Sequence, residues 1–308
     1  MENDQSMTCE DQRALIRIGH SPDPDDAFMW WPLCGLDGQP PPIGSDRFRF
    51  ETIVEDIEVL NHMSEAPGPD GLLECTAISC AQYPRVRDRY VITACGASIG
   101  EGYGPKLITT GSMSMEQLRD SDPVIAVPGE KTTAFLVLNM MLGPGSFRHE
   151  VLPFDRIIPS LIDGTYQAGL VIHEAQLSFQ DAGLHLIADL GSWWHGHTGH
   201  PLPLGLNVVR SDLDRIHGDG TIAELTKLLH QSVSHAMAHR DESLGYAMNF
   251  ARDMEMELAG RFVDLYVNQR TLDFGEEGIA AIEELTRQGV LMGLIQQQPS
   301  IEVVSHHG

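Results

Sequence analysis

Four times along this chain a short apolar run ends in a sharp polar turn and opens into a helix-like stretch. IRIGH leads into SPDPDDAFMW, CTAI into SCAQYPRV, VIAV through PGEK into TTAFLVLNMML, and AGLVI into HEAQLSF. Strands that alternate with helices point to an α/β architecture. In open α/β sheets, ligands gather beyond the carboxyl ends of the strands, where helix N-termini also aim their free N–H groups. Four such ends, each opening with polar groups, suggest one shared cleft.

The remaining elements fit around these units. Ile57, Leu60 and Met63 fall at helical spacing, and so do the apolar residues at 222, 225, 228, 229, 233, 236 and 237. The tail from Glu276 to Leu294 reads as helix, and Pro/Gly-rich loops fall at 37–46, 64–71 and 142–146. GYGPKLITTG (102–111) and PLPLGLNVVR (201–210) are extended, flanked by Gly or Pro, and about a hundred residues apart. They read as two crossings between domains, around which an inserted domain would hinge. The expected large lobe is 13–107 plus 207–308, the small lobe is 108–206, and residues 1–12 are expected to be disordered.

Charge narrows the function classes. Acidic residues outnumber basic ones 44 to 20, a net charge of −24, which argues against nucleic acid or an anionic membrane as partner. No run of 18 apolar residues occurs, and the first 20 residues are polar and acidic, unlike a signal peptide. The five cysteines form an odd set with no C-x-x-C pair, as expected of free thiols in a reducing compartment. The expectation is a soluble cytoplasmic protein, monomer or homodimer. No Walker loop, G-x-G-x-x-G after a strand, G-x-S-x-G, H-E-x-x-H or basic stripe is present.

The turns offer the candidate site residues. HSPDPDD puts three carboxylates, Asp23, Asp25 and Asp26, at a helix start. Capping accounts for one or two of them; Asp25 or Asp26 is then left to accept hydrogen bonds from a substrate. No Gly-punctuated acidic loop follows, so a Mg²⁺ or Ca²⁺ site is not expected there. Thr132 and Thr133 open an apolar helix after a Pro-Gly turn, either as a carboxylate site or as a simple cap. Ser79 follows CTAI with the same two readings. His173 ends the strand AGLVI, where an imidazole can take up a proton and return it, or can be merely structural. His195, His197 and His200 follow Trp193-Trp194 at a spacing that fits no usual metal-binding face; a solvated loop with packed tryptophans is the expectation, not zinc.

Seven groups of residues, in order, carry a resemblance. They are Ser21-Pro22 with Asp26 and Phe28; the run Val54 to Asn61; Arg87-Asp88-Arg89-Tyr90; Val127-Pro128-Gly129 with Thr132-Thr133-Ala134; Ile172-His173-Glu174; Asp189-Leu190-Gly191 with Trp193-Trp194; and Thr198-Gly199 with Pro201 to Gly205. From about residue 16 to about residue 280 the chain resembles the 1,4-dihydroxy-6-naphthoate synthase family of the futalosine route to menaquinone. The resemblance implies a periplasmic-binding-protein type II fold, with two α/β lobes, a two-strand hinge and a cleft between. It also implies a lyase that needs no cofactor and converts cyclic dehypoxanthine futalosine, a small carboxylate, to 1,4-dihydroxy-6-naphthoate. His173 is then the base, Thr132 and Thr133 hold the carboxylate, and Ala77, Ile78 and Ser79 contact substrate. The family pattern implies Lys where this chain has Ala77, Cys at Asp23, Asn at Asp25 and Thr at Ala27. Arg85, Arg87 or Lys131 are the candidates to replace the missing charge. Two further readings stay open: a carboxylate-binding protein of the same fold without chemistry, and a sister lyase acting on another substrate.

Overall fold

The computed structural model describes residues 12–35, 38–68, 71–250 and 255–305. The expectation for residues 1–12 falls, apart from Gln12, outside the described residues. The chain first lays down β1 (Ala14–His20), β2 (Phe48–Val54), β3 (Cys75–Ser79), β4 (Tyr90–Thr93) and β5 (Ser98–Gly100). It then builds β6 (Lys106–Thr109), β7 (Val124–Val127), β8 (Arg148–Val151), β9 (Ala168–Val171) and β10 (His185–Asp189). It returns with β11 (Leu202–Arg210) and β12 (Val303–Val304).

These strands form two sheets. The larger runs β12-β4-β11-β3-β1-β2, with β5 also paired to β11; the smaller runs β10-β6-β9-β7-β8. The first unit of each sheet is parallel, β1 with β2 and β3, and β7 with β8 and β9. β11 runs antiparallel to β3, β4 and β5, as β6 does to β9 and β10. Both sheets are flanked by helices, so the fold is α/β with two lobes, as the strand–turn–helix grammar and the resemblance imply.

Sheet membership changes at 101–105 and at 199–201. The extended segments expected to be bare crossings are largely strands: Lys106–Thr109 lies inside the smaller sheet and Leu202–Arg210 inside the larger. Residues 202–206, placed with the small lobe on sequence, therefore pair in the larger sheet, and 106–107 pair in the smaller. An extended apolar segment between Gly and Pro reads alike as linker or strand, because the pairing partner is not visible in it.

Two cores hold this together. One joins both sheets: Ile92, Leu206 and Val208 of the larger sheet with Leu107, Ile125 and Leu170 of the smaller and with Trp194. The other buries the helix Pro24–Cys34 against the helix Thr221–Ala238, with Phe28, Met29 and Trp30 among Leu225, Leu229 and Val233. Pro24 through Leu33 are all buried, so this helix shows no polar face. Its Phe28, Met29 and Leu33 side chains each contribute about 1.5–3 kcal/mol by leaving water, which holds the N-terminus of the helix, with its two buried carboxyls, in the cleft.

Candidate active site

Between the sheets lies a cavity whose empty space, its solvent-open mouth included, is about 670 Å³. Asp25, Asp26, Ala77, Ile78, Ser79, Thr132, Thr133 and His173 all line it. Residues from four separate turns thus meet at one place. Asp23, which had no role assigned on sequence, lines it too.

The opening turn does not do what helix capping predicts. Asp23 occupies the N-cap position of the helix Pro24–Cys34, yet its side chain makes no capping bond. Proline at the first helical position leaves one fewer free N–H at this helix start. The Asp23 carboxylate turns away instead. Its Oδ2 accepts from Ser21 Oγ at 2.5 Å and lies 2.7 Å from His173 Nδ1. Asp26 Oδ2 accepts from the Ser21 amide at 2.9 Å, and Asp25 Oδ2 accepts from Ser98 Oγ at 3.4 Å.

His173 follows β9 with φ of +55°, a left-handed conformation that non-glycine residues adopt at some cost. That twist points the ring across the cleft at Asp23. The Phe154 ring meets the imidazole edge to face, centroids 4.7 Å apart. Nε2 is shielded from solvent and has no hydrogen-bond partner among the described residues. Burial pulls the imidazole pKa down, but the charge and hydrogen bond of Asp23, aided by Glu174 and Asp56, outweigh it and raise it to about 9. Burial, then the charges of Asp26 and Asp23, push the Asp25 carboxyl well above the usual carboxylate range, against the pull of His173. Burial also raises Asp26, opposed by the Ser21 amide and His20.

The two threonines are committed more fully than their types alone suggest. Thr132 Oγ1 accepts from the Phe135 amide at 3.1 Å and donates to Gly129 O at 2.8 Å, so it caps the helix Thr133–Leu142. Thr133 Oγ1 donates to Leu204 O at 2.7 Å and accepts from the Ala81 amide at 3.1 Å. What this end offers an anion is therefore the first-turn amides and the helix dipole, not free hydroxyl protons. Ser79 differs. It makes no capping bond; its amide donates to Asn61 Oδ1 at 2.8 Å and its Oγ accepts from Asn61 Nδ2 at 3.0 Å. The Ser79 hydroxyl proton donates to no described residue, so it remains available to a ligand.

The family model for menaquinone biosynthesis matches residues 16–290. The chain belongs to this menaquinone biosynthesis family. It is 37% identical over 286 residues to a 1,4-dihydroxy-6-naphthoate synthase of Thermus thermophilus, covering 92% of this chain and 97% of that one. A 1,4-dihydroxy-6-naphthoate synthase of Streptomyces coelicolor is 34% identical, covering 91% and 94%. A crystal structure of a protein from Archaeoglobus fulgidus superposes with a TM-score of 0.81 at 36% identity, covering 91% and 98%. The ligand-binding component of an ABC-type import system from Staphylococcus aureus gives 0.63 at 14% identity, covering 91% and 93%. The last likeness shows the periplasmic-binding-protein fold alone.

Among the described lining residues there is no Lys or Arg, and Ala77 stands buried in β3 beside Leu60 and Leu73. Arg85, Arg87 and Lys131 line a separate groove, where Lys131 Nζ pairs with Glu65 at 2.6 Å. They do not supply the positive charge at this cavity. The cation that the described lining residues offer is His173.

Three further residues, to which the sequence assigned no role, brace the site, and of these Tyr266 lines the cavity. Asn61, fully buried, fixes Ser79 from the helix Ile57–Ser64. Tyr266 donates to Gln176 Oε1 at 3.0 Å, tying the helix Met256–Tyr266 to the smaller lobe. Glu58 accepts from the Lys131 amide at 3.2 Å on both oxygens, a second tie between lobes. Asn61 ends the Val54-to-Asn61 run, and a polar residue on the apolar stripe of a helix was the available signal.

The Trp-His stretch is a helix, not the expected solvated loop. Leu190–Thr198 is helical, capped by Asp189, whose side chain accepts from the Ser192 amide. Gly191 and Gly196 interrupt the apolar pattern and hide it. Trp194 is buried and donates to Pro201 O at 3.1 Å, while Trp193 stacks on His197. Neither tryptophan lines the cavity. Among the described residues no group of three or more His, Cys, Asp or Glu is arranged to hold a metal ion.

Proposed function

We propose that this protein is a 1,4-dihydroxy-6-naphthoate synthase, a carbon–carbon lyase acting on cyclic dehypoxanthine futalosine. The observation that carries the reading is His173: Nδ1 is engaged by a carboxylate, while Nε2 is shielded and without a partner among the described residues at the cavity wall. The relatives' names support the product; the substrate is what the family resemblance implies. Nε2 takes the proton of a hydroxyl on the sugar-derived part; as that oxygen forms a carbonyl, the carbon–carbon bond to the ring breaks, its electrons pass into the ring, and Nε2 returns the proton to the aromatic product. The amides at the start of the helix Thr133–Leu142 receive the substrate carboxylate, with Ser79 donating from the facing lobe. Asp25 and Asp26 meet the sugar-derived hydroxyls, and Ala77 and Ile78 pack against the ring. Apposed lobes keep water from the reacting atoms.

The four described cysteines are all unpaired, which supports a reducing, cytoplasmic setting. The test is turnover of cyclic dehypoxanthine futalosine by wild-type protein and by His173→Ala, with no cofactor or metal added. Product from the wild type and a loss of about 10²–10⁴-fold in the variant are expected. No product from the wild type, with tight binding of a small aromatic carboxylate, would leave a binding protein instead.

A further inference from the structure

The Asp23–His173 pair joins two bodies. Asp23 sits on the turn after β1 of the larger sheet, and His173 follows β9 of the smaller. The carboxylate is itself anchored: the same Oδ2 that meets the imidazole also accepts from Ser21 Oγ. It is 2% exposed and makes no capping bond, so these two contacts are what its side chain does in place of capping. We propose that Asp23 is a positioning residue for the base: it holds Nδ1–H, aims Nε2 into the cavity, and does so only when the lobes are apposed. The proposal rests on the reading of His173 as the base.

The chemistry follows from the two ring nitrogens. With Nδ1–H donated to Asp23, the neutral imidazole keeps its lone pair on Nε2, the nitrogen without a protein partner among the described residues. The proton taken from substrate then sits on Nε2, and the imidazolium formed is balanced by the carboxylate. A separated cleft leaves His173 without this partner and with an unfixed tautomer. Base strength is thereby withheld until the cleft has closed over its contents. The other charged groups facing the ring do not replace Asp23. Glu174 is the next residue in the chain, Asp56 is the N-cap of the helix Ile57–Ser64, and Asp25 belongs to the helix Pro24–Cys34. The helix Phe154–Ile162 contributes an uncharged ring.

The test reads the imidazole directly. Long-range ¹H–¹⁵N correlation spectra of ¹⁵N-histidine-labelled protein are followed from pH 5 to 10, with His173 assigned from His173→Gln. Wild-type His173 is expected to titrate near pH 9 with Nδ1 carrying the proton in the neutral form. In Asp23→Asn the midpoint is expected to fall to about 6.5 or below, and Asp23→Glu should restore part of the difference. In turnover, Asp23→Asn should move the rising limb of kcat to lower pH and cut the plateau by about 10²–10⁴-fold, with KM changed little. A wild-type midpoint near 6.5, or one unmoved by Asp23→Asn, overturns the proposal whether or not the variant folds well. A wild type that titrates as expected yet makes no naphthoate removes the lyase reading and leaves the pairing standing.

Discussion

At the scale of single residues, the cavity holds groups that stability alone would not select. Asp25 is buried beside two other carboxylates, and its raised pKa records the cost of charging it. Asp25→Asn should therefore raise Tm by a few degrees in a thermal melt while weakening substrate binding or turnover. Unchanged activity and binding would remove Asp25 from the site. His173 carries the opposite sign. Its folded pKa, about 9, lies above the unfolded value, so the pair's stabilisation is full below about pH 6.5 and lost as pH rises through about 9. Activity should run the other way, rising from pH 6 toward 9 as the neutral imidazole becomes populated. A profile that falls over that range would make His173 an acid rather than a base. Sequence made the histidine and the acidic turn visible, but not their partnership, because 150 residues separate Asp23 from His173 and no local rule pairs them. Helix-start chemistry favoured capping, and only the fold shows the carboxylate turned elsewhere.

At the scale of elements, the site depends on helices that brace strand ends. The helix Ile57–Ser64 presents Asn61 to the end of β3, where both its amide groups serve Ser79. Asn61→Ala leaves buried donors and acceptors unmet, so it should cost about 1–3 kcal/mol in denaturant unfolding and raise KM. The helix Leu190–Thr198 meets the crossing at 101–105 so closely that a Cβ on Gly191 would lie 2.0 Å from Tyr103 O. Gly191→Ala must move one backbone or the other; a loss of 2 kcal/mol or more is expected by the same measurement. A loss under 0.5 kcal/mol would show that the crossing gives way. The amphipathic helices were legible because their stripes repeat. The helix Thr221–Ala238 buries Leu225, Leu228, Leu229, Val233 and Ala236, which the spacing had marked. The helix Leu190–Thr198 was missed because its glycines erase that repeat.

At the scale of the molecule, two lobes share one core on the hinge side and a cavity on the other, tied by Asp23–His173, Glu58–Lys131 and Tyr266–Gln176. Glu58→Ala removes one tie remote from the base. It should enlarge the radius of gyration of the ligand-free protein in small-angle scattering and raise KM while sparing kcat. An unchanged radius would mean that the shared core alone sets the opening. The two-lobe plan was legible because the strand–turn–helix unit recurs and two extended segments bracket the middle of the chain; the sheet edges were not, because pairing is a long-range fact. That pairing also orders how the molecule comes into being. β11 lies between β3 and β4, so the larger sheet stays in two pieces until a strand made about a hundred residues after β5 arrives. The smaller sheet uses only contiguous chain and can close first. On a ribosome adding about 5–20 residues per second, the open edge of β3 waits roughly 6–25 s. Chains arrested just past Thr198 should resist brief proteolysis over 106–189 and be cut before residue 100. For this protein, the last lobe to be finished is the first one begun.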